Sequence, residues 1–128
     1  MEIARKRPVW FALSEFWLDT ELQTEDLKRI AEVLEQSGYA LADIEQIYKF
    51  EVAPVVWMNI FPFYPGIGVW EGFDTEWLEE SILSNIGRQE KNSFYRWRIR
   101  NKFSCWMHTM TSREPWQKCK AMVNEHAV

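Results

Sequence analysis

TEDLKRIAEVLEQSGYALADIEQIYKFEV, residues 24–52, contains two runs in which apolar side chains recur at the spacing of an amphipathic helix. Gly38 separates the two runs, and glycine commonly ends helices because it adopts a positive φ without steric cost. The pattern therefore predicts one helix before Gly38 and a second from about 41 to 52. The residues predicted to face inward are Leu27, Ile30, Ala31, Val33 and Leu34 in the first helix, and Leu41, Ile44, Ile47, Tyr48 and Val52 in the second.

A further helix is predicted upstream of this stretch. Pro8 fits the first turn of a helix, where its missing N–H is not needed. Trp10, Leu13 and Trp17 then share one face, and we expect this helix to end near Asp19.

The start of the helix before Gly38 carries two capping signals. Thr20 and Gln23 have capping-box spacing, and Thr24 is a second candidate cap. Glu25 and Asp26 follow, and negative charge stabilises the N-terminal end of a helix.

Downstream, Pro54 ends the helix or starts a short further turn. Residues 61–73, FPFYPGIGVWEGF, contain two prolines and three glycines, so they predict an irregular, ring-rich loop. This loop either folds back onto the core, which we favour, or forms a contact surface. Asp74 predicts the N-cap of another helix, which Gly87 weakens or ends.

The C-terminal part contains one ambiguous segment, residues 94–107. Rings and arginines alternate there as in a strand, but the sequence offers no convincing partner strand apart from Val55–Phe61, so we favour a helix. The helical pattern of this segment passes through Phe94, Trp97, Phe103, Trp106 and Met110.

A last helix is expected from Ser112, with Pro115 in its first turn.

Together these patterns predict a mainly α, compact single-domain helical bundle of about five to six helices with one aromatic Pro/Gly-rich loop, spanning residues 1–128. The 128 residues suffice for one core. The eight Trp, eight Phe and four Tyr exceed what such a core readily hides. We therefore expect some rings at the surface, where a cluster of them would form a binding patch.

The sequence favours a cytoplasmic protein. Its two cysteines, Cys105 and Cys119, form no CxxC pair, and isolated thiols are typical of a reducing compartment. They and the two histidines match no zinc pattern, so we expect no metal and no other cofactor. No apolar run is long enough to span a membrane, and the basic residues before Val9 introduce a first helix rather than a signal peptide.

Charge is distributed unevenly along the chain. Residues 1–90 carry 7 Lys/Arg and 17 Asp/Glu, whereas residues 91–128 carry 8 Lys/Arg and 2 Asp/Glu. Either the two parts attract each other within the fold, or the acidic part is available to a basic partner.

Catalytic motifs are absent from the sequence. Nucleophile-elbow, zinc-protease and phosphate-loop patterns do not occur. Cys105 and His108 are three residues apart and would share a helix face, but a core thiol near a surface imidazole is the simpler interpretation.

The sharpest local feature is the basic aromatic segment 94–106, FYRWRIRNKFSCW. Arginines interleaved with rings can hold phosphates and stack bases. The acidic pI near 5.2 argues against a nucleic-acid partner, and the alternative is that these arginines pair with the acidic part of the chain.

Three stretches of the chain resemble a family of small bacterial proteins defined as a domain of unknown function. They are PVWFALSEFWLDTEL at 8–22, EVAPVV at 51–56 and VWEGFDTEWL at 69–78, and the resemblance covers about residues 7–86. It implies a bacterial cytoplasmic protein and brings no catalytic residue. Gly38-Tyr39-Ala40 departs from the family pattern, which has a proline and a capping serine there, and this affects the predicted start of the third helix.

Three functional hypotheses follow. The leading one is a non-enzymatic protein-interaction domain, most concretely an immunity protein that neutralises a basic bacterial toxin, by analogy with other small acidic bacterial proteins. Its predicted contact residues are Glu21, Asp26, Trp70 and Glu71. The first alternative is a nucleic-acid-associated regulator, and the second is an enzyme of unrecognised type. The regulator would use Arg96, Arg98, Arg100 and Lys102.

Overall fold

A computed structural model describes residues 2–18, 22–57 and 74–126, with side chains up to 123 in the last helix. All regular elements in these ranges are helical, so the predicted mainly α class is confirmed. The elements are α1 (Ile3–Ser14) with a 3₁₀ turn (Glu15–Trp17), α2 (Thr24–Gln36), α3 (Leu41–Gln46), a π-helical segment (Ile47–Val52), α4 (Ala53–Val56), α5 (Thr75–Lys91), α6 (Ser93–Arg100), α7 (Lys102–Thr109) and α8 (Arg113–His126).

The helices on either side of Gly38 lie where the sequence predicts them. Asp26 caps α2, since its carboxylate accepts a hydrogen bond from the Gln23 backbone N–H at 2.9 Å. Gly38 follows α2 with a φ of 76°, the conformation that favours glycine. The third helix starts at Leu41, as predicted, although Ala40 offers no capping side chain.

The first helix differs from its prediction at both ends. It begins at Ile3, so Pro8 lies inside it rather than in its first turn. It ends at Ser14, and a 3₁₀ turn carries the chain to Trp17. Both Phe16 and Trp17 of this turn are buried in the core.

The π-helical segment widens the helix between α3 and α4 and leaves backbone carbonyls to be satisfied from elsewhere. Two buried amides of α5 do so. Asn85 Nδ2 donates to the carbonyls of Phe50 at 2.9 Å and Glu51 at 3.2 Å. Gln89 Nε2 also donates to Phe50, at 2.8 Å. These bonds fix α5 against the segment and explain why two polar side chains are buried.

The core centres on aromatic residues from distant parts of the chain. Tyr48 stacks on Trp116 with ring centroids 4.7 Å apart, and Phe16 meets both rings edge-on. Trp17 lies 5.4 Å from Tyr48. Because Trp116 belongs to α8, which packs along α2, this cluster joins the two ends of the chain.

Two glycines are expected to respond oppositely to alanine. Gly87 lies inside α5, and a Cβ there would meet nothing within 4 Å, so Gly87→Ala should stabilise the protein by about 0.5–1 kcal/mol. Gly38→Ala should destabilise it by about 1 kcal/mol, because φ is positive and the Cβ would lie 3.2 Å from the Arg5 guanidinium. Urea unfolding of both variants would check this, and a loss of stability in Gly87→Ala would contradict it.

Candidate functional site

The ambiguous segment 94–107 forms two short helices, which confirms the helical interpretation. Asn92 caps α6 by accepting a hydrogen bond from the Tyr95 backbone N–H at 3.0 Å. Asn101 ends α6 and caps α7, since its side chain accepts from the Ser104 N–H at 2.9 Å. The two asparagines, preferred N-cap residues, were the sequence signal for this division.

These two helices carry the exposed large hydrophobic side chains of the described residues. We call this set the aromatic face. It shows fractional exposures of 68% for Phe94, 64% for Trp97, 68% for Phe103, 53% for Trp106 and 43% for Met110. The rings lie in two pairs, with centroids 6.0 Å apart for Phe94 and Trp97 and 6.3 Å apart for Phe103 and Trp106.

The opposite side of α6 is firmly attached to the body of the protein. Ile99 is buried, and the Tyr95 hydroxyl donates to Asn85 Oδ1 at 2.9 Å. Arg100 Nε donates to Gln89 Oε1 at 3.0 Å. Since α6 is held by the same amides that bind the π-helical segment, its rings are fixed towards solvent.

The four predicted nucleic-acid contacts lie on this pair of helices and are exposed. The expectation that they pair with the acidic part of the chain is wrong for the described residues. Arg96 donates to the Gln89 carbonyl at 3.3 Å and Arg100 to the Gln89 side chain, both neutral acceptors. The side chains of Arg98 and Lys102 have no hydrogen bond or ion pair with a described residue.

The carboxylates of the acidic part, residues 1–90, instead form most of their ion pairs with cations of the same part. Lys6 lies 2.8 Å from Glu51, Arg7 pairs with Glu79, and Arg29 lies 2.7 Å from Glu15. Between described residues, one ion pair joins residues 1–90 to the basic tail, from Lys120 to Glu45 at 3.5 Å. The tail is basic in sequence, and none of its arginines forms an ion pair with a described carboxylate of residues 1–90.

Of the four predicted protein-contact residues, the structure describes only Asp26. Asp26 is partly exposed and serves as the cap of α2, with Arg29 3.7 Å away. Glu21, Trp70 and Glu71 lie outside the described residues, and so does the predicted loop 61–73.

The Cys105–His108 pair lacks the properties of an activated nucleophile. Burial raises the pKa of the Cys105 thiol, whereas an activated cysteine has a lowered pKa. His108 is buried against Trp57, with ring centroids 5.1 Å apart, instead of lying at the surface. Burial, together with the nearby charge of Arg98, lowers the pKa of His108 to about 4.

Residues 2–18, 22–57 and 74–126 contain neither a metal-binding cluster nor a membrane-spanning helix. No group of three or more His, Cys, Asp or Glu side chains is placed there to hold a metal ion. None of the helices in these ranges combines the length and apolarity needed to cross a membrane. Both cysteines are free, Cys119 in the core and Cys105 partly buried.

Comparison with known proteins gives one match. No curated protein and no solved structure is similar to the chain. The model of one protein family, a domain of unknown function (DUF7079), matches residues 4–122, which includes α1 to α7 and most of α8. The chain therefore belongs to the DUF7079 family.

Proposed function

We propose that this protein is a non-enzymatic interaction domain and that the aromatic face of α6 and α7 is its contact surface. The observation that carries the proposal is the exposure of four large rings on helices that are otherwise well anchored. Contiguous exposed apolar surface on a soluble protein commonly marks an interaction site. Trp and Arg are the residues that most often dominate binding energy at protein interfaces.

The charge around the aromatic face determines the partner that we propose. Arg98 and Lys102 are exposed beside the rings and carry no ion pair with a described residue. A complementary protein would therefore present an apolar surface with carboxylates at its rim. We propose a toxin neutralised by this protein as the biological setting, which makes the protein an immunity protein.

A basic toxin, the partner that the net charge favours, would bind elsewhere on the molecule. Several carboxylates of the acidic part have no ion pair with a described residue and could receive it. They are Glu25 and Glu32 on α2, Asp43 on α3, and Glu76 and Glu80 on α5.

Co-expression with each protein encoded beside this one tests the proposal. The double variant Trp97→Ser/Phe103→Ser removes two exposed rings, so it should keep its thermal midpoint within about 2 °C. It should bind the partner at least about 100-fold more weakly than the wild type, and it should no longer protect cells from that partner's toxicity.

Lys28→Gln, on the exposed side of α2, is the control for a change away from the aromatic face. A partner that binds the double variant as tightly as the wild type would exclude the aromatic face as the contact surface. If binding is instead lost in Glu25→Gln/Glu32→Gln, the acidic surface and a basic toxin are supported. The absence of any toxic or co-purifying neighbour would contradict the immunity role.

A second candidate function is binding of single-stranded nucleic acid, and the lack of carboxylate partners for Arg98 and Lys102 favours it. Exposed rings with interleaved cations can stack bases and contact phosphates. Fluorescence anisotropy with a mixed pool of labelled single strands should then show affinity that falls with salt. Replacing both cations with glutamine should reduce the slope of log K against log salt by about 1.4, and no binding at low salt would contradict the proposal. The enzyme hypothesis has no comparable support from the described residues.

A further inference from the structure

A pocket lies where the π-helical segment meets α6, α7 and the start of α8. Its volume is about 340 Å³, at the lower end of the range for small-molecule sites. Six of its eight lining residues are four cationic side chains and two aromatic rings. The cations are Lys49, Arg100, Lys102 and Arg113, and the rings are those of Phe50 and Trp106.

None of the described residues that line this pocket is acidic, although the chain as a whole carries a net charge of −4. The hydrogen-bond acceptors of its two arginines are neutral. Arg100 donates to the Gln89 side chain, and Arg113 donates to the Trp106 carbonyl at 3.0 Å. Lys102 has no partner among the described residues. The positive charge in the pocket is therefore largely uncompensated.

Among the cations of the pocket, Lys49 forms an ion pair with a described carboxylate, and that contact is long. Its Nζ lies 3.8 Å from Glu45 Oε1, which Lys120 approaches more closely at 3.5 Å. In addition, the Nε of Arg113 is buried and has no hydrogen-bond partner among the described residues. The Lys49 ammonium retains capacity to contact an anion.

The rings hold the guanidinium groups in place and give the pocket an apolar side. Arg100 lies 4.5 Å from the centroid of Phe50, and Arg113 lies 5.4 Å from that of Trp106. Cys105 also lines the pocket, and because burial raises the pKa of its thiol, it adds no negative charge near neutral pH.

We infer that this pocket binds a small phosphorylated ligand that also carries a flat or apolar group, of which a nucleoside monophosphate is the simplest example. A phosphate accepts several charge-assisted hydrogen bonds at once and so matches converging arginines and lysines better than a single carboxylate does. The flat group would contact Phe50 and Trp106. Widened π-helical segments such as the one that supplies Lys49 and Phe50 frequently occur at functional sites.

A phosphate joined to a flat group occurs in two kinds of molecule, a free nucleotide and the phosphorylated end of a nucleic-acid strand. Isothermal titration of the full-length protein with AMP and with a short 5′-phosphorylated single strand distinguishes them, at about 50 mM salt to limit screening. We expect AMP to bind with a Kd of about 10 µM to 1 mM. Adenosine and inorganic phosphate should each bind at least about tenfold more weakly, because each lacks one half of the ligand.

Lys102→Gln is the test variant, because Lys102 is exposed and its replacement breaks no contact with a described residue. It should weaken AMP binding about tenfold, whereas Lys28→Gln should leave binding unchanged. Binding of the phosphorylated strand alone, with the same dependence on Lys102, would also support the inference and identify the strand end as the ligand.

Three results would overturn the inference. They are no binding of either probe by the wild type, equal effects of Lys102→Gln and Lys28→Gln, and inorganic phosphate binding as tightly as AMP. The pocket borders the aromatic face through Trp106 but does not depend on the proposed protein partner.

Discussion

Replacing Trp116 with alanine is expected to lower the free energy of unfolding by about 3–5 kcal/mol. Trp116 is 1% exposed, and its ring stacks on Tyr48 and meets Phe16 edge-on. Its removal leaves a cavity where α8 closes over α2. A domain of this size has a total stability of about 5–15 kcal/mol, so the variant should melt about 10–20 °C lower and be marginally folded.

Thermal and urea unfolding of two further variants would show that the loss comes from the core cluster. Trp97→Ala makes the same chemical change at an exposed position and should cost less than about 0.5 kcal/mol. Trp116→Phe should cost less than Trp116→Ala, because it keeps an aromatic ring and removes an indole N–H that has no hydrogen-bond partner among the described residues. Equal losses in Trp116→Ala and Trp97→Ala would refute the assigned role of the cluster.

The second large expected effect is a loss of folding stability at low pH. Burial lowers the pKa of His108 to about 4, from an ordinary value near 6.5. Between these two values the unfolded chain binds a proton at this position and the folded chain does not. Stability therefore falls as the pH drops from about 6.5 to about 4, and His108 should account for about 2–3 kcal/mol of that loss.

His108→Phe isolates this contribution. Phenylalanine cannot titrate, and its ring can occupy the place of the imidazole beside Trp57. The backbone carbonyl that accepts the Trp17 indole N–H at 3.0 Å is kept. Urea unfolding from pH 7.5 to pH 4 should give a shallower decline for the variant, while both proteins share the effects of carboxylates and of His126. Parallel declines would mean that His108 titrates normally in the folded protein.

Prediction from the sequence was most accurate for features that depend on residues close together in the chain. The apolar spacing around Gly38 predicted both helices, and Asp74 caps α5 as expected, with its side chain accepting from the Trp77 N–H at 3.0 Å. Gly87 did not end α5, because one glycine costs a 17-residue helix only about 1 kcal/mol and tertiary contacts on both sides outweigh that cost. The expected five to six helices became seven continuous helical segments within the described ranges, since Asn92 and Asn101 divide the C-terminal part further.

The sequence predicted only part of the candidate site. The helical pattern grouped Phe94, Trp97, Phe103, Trp106 and Met110, and the structure exposes all five, with the four rings in two pairs. Spacing alone, however, gives the members of a helix face and not the direction in which the face points. Arg100 and Lys102 of the pocket were predicted as nucleic-acid contacts, but Lys49 and Arg113 had no signal, because they are far apart in the sequence and meet only across the fold.

For this protein, the sequence by itself determined the helices and the uneven charge, because propensity, capping and apolar spacing act over a few residues. Only the tertiary structure decided which rings are buried, which cations remain without carboxylates, and where a pocket forms. The reason is that burial and ion pairing depend on neighbours brought together from distant positions. Asn85 and Gln89 show this, since they hold both the π-helical segment and α6 and so turn an apolar helix face towards solvent.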